Sequence, residues 1–363
     1  MSYGSDKWLI NFAGSELSEY TIPEGINNIE NFAFEDKKKL KNITIPSTLR
    51  QVAGRAFEGC DNLEAVYGEL VSEDHRYIIV GDRLERYLIT KNAPKHFEVP
   101  DNIKVIGDNA FLNAPFETIT MGDQVIVIGG YAFQNCQNLK SITISANVKC
   151  IGEDNGIGGF NPFHWCLNLE TIYFRSPIPP LYKEPVQTNY SNLTFYVPKE
   201  SLSAYQNSGW FEFAKYMKGY EYDDLPALPD IYMSTDYSQD RKVTTLQASS
   251  VGNGIDVVLM GDGYSDRQIA DGTYQTDMEN LYNNLFTEEP YKSFKDYFNV
   301  YYVNVVSATE GYEHSGAALG GFFGDGTLVG GNDNVVFDYA LKAISEEEMD
   351  EALLIVAMIS ANY

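Results

Sequence analysis

Histidine, cysteine and basic side chains are scarce in this chain. It has four histidines and four cysteines in 363 residues. No Cys-x-x-Cys occurs, so a zinc knuckle or dithiol redox motif is unsupported. Lys and Arg number 26 against 51 Asp and Glu, a formal net charge of −25. That sign argues against nucleic acid and anionic membrane surfaces, which would repel the chain. No stretch is long and apolar enough to cross a membrane. Residues Met1 to Ile10 hold no basic region followed by an apolar one, so no signal peptide is expected there. That fits a cytosolic protein, or a mature or partial form.

Apolar and aromatic residues are plentiful. The chain is 44% hydrophobic with 26 Tyr and 20 Phe, enough for a substantial core. Its length implies at least two domains. The charge is uneven: residues 219–363 hold 25 acidic and 6 basic side chains, leaving 26 and 20 for residues 1–218. The step from −6 to −19 supports a boundary near 218. Solubility is the simpler explanation of the acidity.

One pattern returns at a fixed step. Ile22-Pro23, Ile26, Ile29, Ala33-Phe34 and Leu40 are followed by Ile45-Pro46, Leu49, Val52, Ala56-Phe57, Cys60 and Leu63. The step is 45 − 22 = 57 − 34 = 23 residues. The cleanest copy runs from Ile119-Thr120-Met121 through Ile128-Gly129 and Ala132-Phe133 to Cys136 and Leu139. A period of this size predicts a solenoid, in which each coil buries its apolar edge on its neighbours. Five copies align. A hairpin is expected at 64–97, where Tyr77 to Val80 and Leu84 to Ile89 flank Gly81-Asp82. Trp8, Leu9, Ile10 and Phe12 are expected to cap the first coil. A helix from Ser201 to Phe211, N-capped by Ser201, is expected to close the last one with Tyr205 and Trp210. Ala56-Phe57 is expected in a short helical segment with Phe57 in the core. Cys60, Cys136 and Cys166 share one repeat position, where packed free thiols are expected. A disulfide between Cys136 and Cys166 is the alternative.

Thr44, Tyr67, Thr120, Thr143 and Tyr173 fall on the outward side of the repeat strands by the period of two. Threonine ladders form good strands for structural reasons alone. As a binding surface, the same column offers hydroxyls and two aromatic anchors.

The Ile-x-Ile-Pro, Ile-Gly, Ala-Phe, Cys and Leu pattern resembles the BspA-type leucine-rich repeats of bacterial surface proteins over about 20–218. Tyr67-Gly68, Ser72-Glu73-Asp74 and the ending Tyr196-Val197-Pro198 with Tyr205 and Trp210 share that likeness. The resemblance implies a secreted or surface-anchored protein with a protein or glycan partner, which is extracellular or at the cell surface.

After a linker at 219–250, the period changes. Ile255 to Met260 reads as a buried strand, Ser265 and Asp266 open a helix to about Leu285, Phe298 to Val306 reads as a strand, Asp333 caps a helix at 335–344, and Leu353 to Met358 is a third strand. This alternation predicts a small α/β domain with a mostly parallel sheet over 251–363, so the fold class is α/β throughout. Gly261-Asp262-Gly263 follows a strand, where α/β proteins place functional loops. It lacks the further glycines of a dinucleotide fingerprint and the Lys of a phosphate loop. Val251 to Asp256, Leu259 to Tyr264, Glu289-Pro290-Tyr291 and Phe298 to Tyr301 resemble the start of an IgA-peptidase-like zinc metallopeptidase domain. Such enzymes hold zinc with His-Glu-x-x-His. No such motif occurs in 1–363, so no catalytic or metal residue is assigned. Zinc is expected only with the complete peptidase domain. Asp262 and His314 are the candidates for a cleft loop, although an ordinary turn or loop explains each more simply. Asp325, Asn332, Asp333 and Asn334 fit no calcium loop.

Overall fold

A computed structural model describes the chain except residues 1–5, 15, 153–159, 183–191, 209, 224–231, 311–316, 320–321, 324–328, 331–332, 350–351 and 359–363. Two compact units are present: Met1–Arg175 with Val186–Thr194, and Ser176–Pro185 with Phe195–Tyr363.

In the first unit each regular coil supplies two short strands, and equivalent strands of successive coils pair in parallel. One row of strands forms two ladders, Glu19–Thr21, Asn42–Thr44 and Ala65–Tyr67, and after the hairpin His96–Glu98, Thr118–Thr120, Ser141–Ile144 and Thr171–Phe174. A second row likewise forms Trp8–Leu9, Asn28–Ile29 and Gln51–Val52, and separately Arg83–Tyr87, Val105–Ile106, Val127–Ile128 and Cys150–Ile151. The middle residues Ile43, Val66, Ile119, Ile142 and Ile172 are buried, while their neighbours face out. That is the period of two acting on one covered face.

The short helical segments expected around the Ala-Phe pairs are single turns. Ala33, Ala56 and Ala110 N–H groups donate to the carbonyls of Glu30, Ala53 and Gly107, each three residues back. The phenylalanines stack from coil to coil. Ring centroids lie 4.8 Å apart for Phe34–Phe57, 5.4 Å for Phe111–Phe133 and 5.5 Å for Phe133–Phe163. Each fully buried ring contributes roughly 1.5–3 kcal/mol of transfer free energy. Phe57 is only partly buried. The hairpin follows its coil, so a regular neighbour is missing on that side.

The hairpin pairs Tyr77–Val80 with Arg83–Tyr87 and carries a bulge between Ile78 and Ile79. Its second strand also pairs in parallel with Val105–Ile106. The insertion therefore continues the ladder as well as interrupting it. The N-terminal cap differs from expectation. Phe12 is buried, with its ring 4.1 Å from Tyr20 and 5.1 Å from Phe34, but Trp8 and Ile10 are exposed. Trp8 belongs to a strand, so Trp8 and Ile10 turn outward while Leu9 packs on the core. The four cysteines are free. Cys60, Cys136 and Cys166 donate their thiols to the carbonyls of Phe34, Phe111 and Phe133, at 3.0, 3.1 and 3.0 Å.

In the second unit, Phe195 to Pro198 pair in parallel with Met217–Tyr220. The helix expected from Ser201 to Phe211 is shorter, Leu202–Gln206, and the Ser201 side chain makes no cap hydrogen bond; a 3-10 turn, Phe211–Tyr216, follows. Tyr205 and Trp210 are buried as apolar cover. Tyr205 Oη donates to Ser176 O at 2.9 Å, and Trp210 Nε1 donates to Pro180 O at 2.7 Å.

The α/β sheet has the strand order Val243–Gln247, Phe298–Val303, Ile255–Asp262, Leu353–Met358. The first pair is antiparallel and the other two are parallel. The strand in the segment read as a linker thus forms one edge of this sheet. Val257 and Leu259 pack with Tyr274 and Met278 on one face, and Val258 and Met260 pack with Val335 and Tyr339 on the other. The helix expected from 265 to 285 is two helices, Asp266–Ala270 and Thr273–Leu285. Gly272 breaks it at φ 86°, where a residue with a side chain is disfavoured.

Candidate functional site

The outward column exists as a register. Thr44 lies between Thr21 and Tyr67 on adjacent strands. Thr120 and Thr143 lie between Glu98 and Tyr173. The five expected residues therefore occupy two stretches, Thr44–Tyr67 and Thr120–Thr143–Tyr173. Tyr67 is exposed and its ring lies 4.8 Å from His75. The other four are half-buried. Sequence reasoning missed Thr21 and Glu98. The signal for Thr21 was its place one period before Thr44, since 44 − 21 = 23.

A second outward column runs beside the first. It holds His96, Thr118, Ser141 and Thr171 in register, and His96 Nδ1 lies 2.8 Å from Thr118 Oγ1. Lysines and glutamates flank this face. Glu117 pairs with Lys95 at 2.6 Å and Lys140 at 3.1 Å. These lysines hold the Glu117 carboxyl below its ordinary range, Lys95 most strongly. The face thus presents hydroxyls that both donate and accept, two tyrosines, and ion pairs at its margin. It can recognise polar partners by hydrogen bonding.

At the other candidate, Asp262 ends the central strand of the α/β sheet and is fully buried. Its Oδ1 accepts from Gly263 N at 2.9 Å, Ser307 Oγ at 3.0 Å and Leu319 N at 3.2 Å. This carboxylate fastens three loop segments together. His314 lies outside the described residues. A partly buried polar cluster near the same strand end was not foreseen. Ser265 Oγ donates to Glu310 Oε1 at 2.6 Å, and Arg267 Nη2 donates to Glu310 Oε2 at 2.6 Å. The Arg267 guanidinium lies 4.2 Å from the Tyr232 ring centroid. Arg267 chiefly holds the Glu310 carboxyl below its usual range. Both its oxygens are engaged, which makes Glu310 a poor base. Nothing in the sequence pattern joined residues 232, 267 and 310, because the sheet brings them together across long separations.

Among the described residues no three His, Cys, Asp or Glu side chains converge as metal ligands. They do not fit a zinc site. No helix of the described residues is long and apolar enough to cross a membrane.

Two stacked parallel ladders with a phenylalanine column define a leucine-rich-repeat solenoid, and the sheet at 243–358 is a separate α/β fold. The repeats are of the BspA type: the family described as BspA type leucine rich repeat region matches residues 10–71 and 89–189 in six copies. The family described as IgA Peptidase M64 matches residues 244–321. The chain is thus a BspA-type repeat region followed by the N-terminal part of an IgA-peptidase-like domain, without His-Glu-x-x-His. No curated protein matches it. Among solved structures, the T. pallidum leucine rich repeat protein TpLRR is 19% identical, with TM-score 0.28 over 52% of this chain and 72% of its own. A leucine rich cell surface protein from Faecalibacterium prausnitzii is 20% identical, with TM-score 0.28 over 58% and 61%. The pneumococcal vaccine antigen PcpA is 13% identical, with TM-score 0.27 over 57% and 67%.

Proposed function

We propose that this is a secreted or cell-surface bacterial protein whose repeat array, residues 1–218, binds a protein or glycan partner. The peptidase-like segment 251–363, reached through 219–250, is inactive in this chain. The observation that carries the reading is the outward register of Thr21, Thr44 and Tyr67, and of Glu98, Thr120, Thr143 and Tyr173. A surface of hydroxyls and aromatic rings on a rigid ladder loses little conformational entropy on binding. The test is surface plasmon resonance of the chain against a panel of purified host surface proteins and glycans. Binding that Tyr67→Ala and Tyr173→Ala each weaken tenfold or more supports the assignment. Binding untouched by both removes it.

The match to the IgA peptidase family favours a second reading. Here the chain is the front part of an active zinc metallopeptidase whose metal site lies in sequence outside these 363 residues. Cofactor chemistry would then belong to zinc in that part, and no step is assigned to residues here. Either way, the 363 residues alone are expected neither to hold stoichiometric zinc nor to cleave protein. One tightly bound zinc per purified chain would sink that expectation.

A further inference from the structure

The array has a second face, formed by the turns that follow the core phenylalanines. The second residue after each phenylalanine is Asp36, Gly59, Asn113, Asn135 or Trp165, with φ of 52°, 73°, 63°, 59° and 61°. Glycine, Asn and Asp suit that left-handed backbone, and a bulky residue there is an outlier. Trp165 is that outlier, and it is 56% exposed. Its ring lies 4.9 Å from His164 at 28°, so the two rings form a platform. A strained bulky side chain held in solvent is an observation that points to function.

The indole borders a groove of about 400 Å³ lined also by Arg55, Glu58, Asn113, Gln134 and Asn135. That volume lies in the range of small-ligand clefts. The walls combine these amide and charged groups with the apolar surfaces of Leu112 and the indole. Asn135 Nδ2 donates to Asn113 Oδ1 at 2.6 Å, and Gln137 Nε2 donates to Asn135 Oδ1 at 2.6 Å. This ladder orients the amides and, among the described residues, leaves the Asn113 amide hydrogens free. Among the described residues, the Gln134 side chain and the Trp165 indole N–H also lack a partner. Arg55 Nη2 donates to Glu58 Oε1 at 2.9 Å, so the two charges at the far wall cancel.

We propose that this groove binds a neutral saccharide. The apolar face of a sugar ring stacks on the Trp165 indole, and its hydroxyls pair with the Asn113 and Gln134 amides. An apolar peptide or lipid would bury those amides without partners, at a penalty. An anionic ligand would meet a neutral charge pair on a chain of net charge −25. The inference shares with the reading above only the premise that the array binds. The strand face plays no part in it.

The test uses the whole chain on an array of defined neutral, sialylated and sulfated glycans, with titration calorimetry on any hit. The expected result is binding of at least one neutral saccharide. Trp165→Gly, which suits the backbone, and Gln134→Ala should each weaken it tenfold or more, whereas Phe294→Ala, at an exposed side chain of the α/β unit, should not. Circular dichroism shows that each variant is folded, and Gln134→Ala tests the groove without touching the strained position. The proposal is overturned by an array without neutral hits, by preference for acidic glycans, or by binding that survives both groove variants. Loss through Tyr173→Ala alone would move the sugar to the strand face and equally overturn it.

Discussion

The Val52 N–H donates to the Glu85 carboxylate at 2.7 Å. Val52 ends the last strand of its own row before the hairpin, and Glu85 is on the hairpin's second strand, where it is only 3% exposed. Arg83 Nε donates to the other carboxylate oxygen at 2.6 Å. A side chain thus links the two parts of the ladder across the insertion. Glu85→Ala would leave a buried N–H without a partner and a guanidinium without its carboxylate. A loss of about 2–3 kcal/mol is expected, against about 1 kcal/mol for Glu85→Gln, which still offers an acceptor to Val52. Urea unfolding followed by circular dichroism measures both. An alanine variant as stable as the parent would show that the link is dispensable.

Trp165 offers a test of strain. Left-handed backbone costs an ordinary side chain roughly 1–2 kcal/mol, and glycine avoids that cost. The indole is more than half exposed, so little burial offsets it. Trp165→Gly is therefore expected to raise the unfolding midpoint, as is common when a functional site is relieved of strain. A lower midpoint would mean that stacking on His164 outweighs the backbone term.

The thiols should behave as core groups. Burial pushes the Cys60 thiol up to about 11. It also raises Cys136, and the neighbouring Cys166 thiol adds to the effect. Only the thiolate reacts, so these sites resist alkylation at neutral pH. Iodoacetamide on the native protein at pH 8 is expected to label Cys150, which is half-exposed, well before Cys60, Cys136 and Cys166. Mass spectrometry of peptides from the timed reaction reads the order. Rapid native labelling of Cys136 would contradict the packed-thiol ladder.

What was legible in the sequence follows from what repeats. Phe34, Phe57, Phe111 and Phe133 recur because each coil must fill the same slot, and the strand alternation at Ile43 or Ile142 comes from the same cause. The α/β sheet was legible because Val257 to Met260 is buried on both faces and so reads as one apolar run. Singular features were harder to see. Trp8 and Ile10 look like cap residues by composition, yet the alternation of a short strand turns them outward. The helix break at Gly272 depends on backbone torsion more than on apolar spacing. The groove at Trp165 joins residues from four sequence neighbourhoods, and only stacking brings Arg55 near Trp165. The Glu310–Arg267 pair is a similar case, 43 residues apart.

Asp240 provides a pH test in the α/β sheet region. Its Oδ1 accepts from Val306 N at 2.9 Å, and Tyr339 Oη lies 3.0 and 2.9 Å from its two oxygens. Arg241 Nε is 3.8 Å away, while Arg241 Nη2 pairs with Asp338 at 3.2 Å. Burial raises the Asp240 carboxyl above its ordinary value, against the opposing pull of Val306 N–H, Tyr339 and Arg241. The folded protein therefore holds this proton more tightly than the unfolded chain does. The resulting stability is fully present below the unfolded carboxylate value. It is lost as pH rises through the higher folded value, because there the native state binds more protons. Asp240→Asn removes this single dependence. The stability of the parent relative to the variant should thus decline as pH rises from the acid side through the carboxylate range, then level off. Urea midpoints at closely spaced pH values give that difference directly, with the many other carboxylates cancelling between the two proteins. A difference that grows with pH would mean that the hydrogen bonds and Arg241 outweigh burial, and that the ionised form is the one the fold prefers.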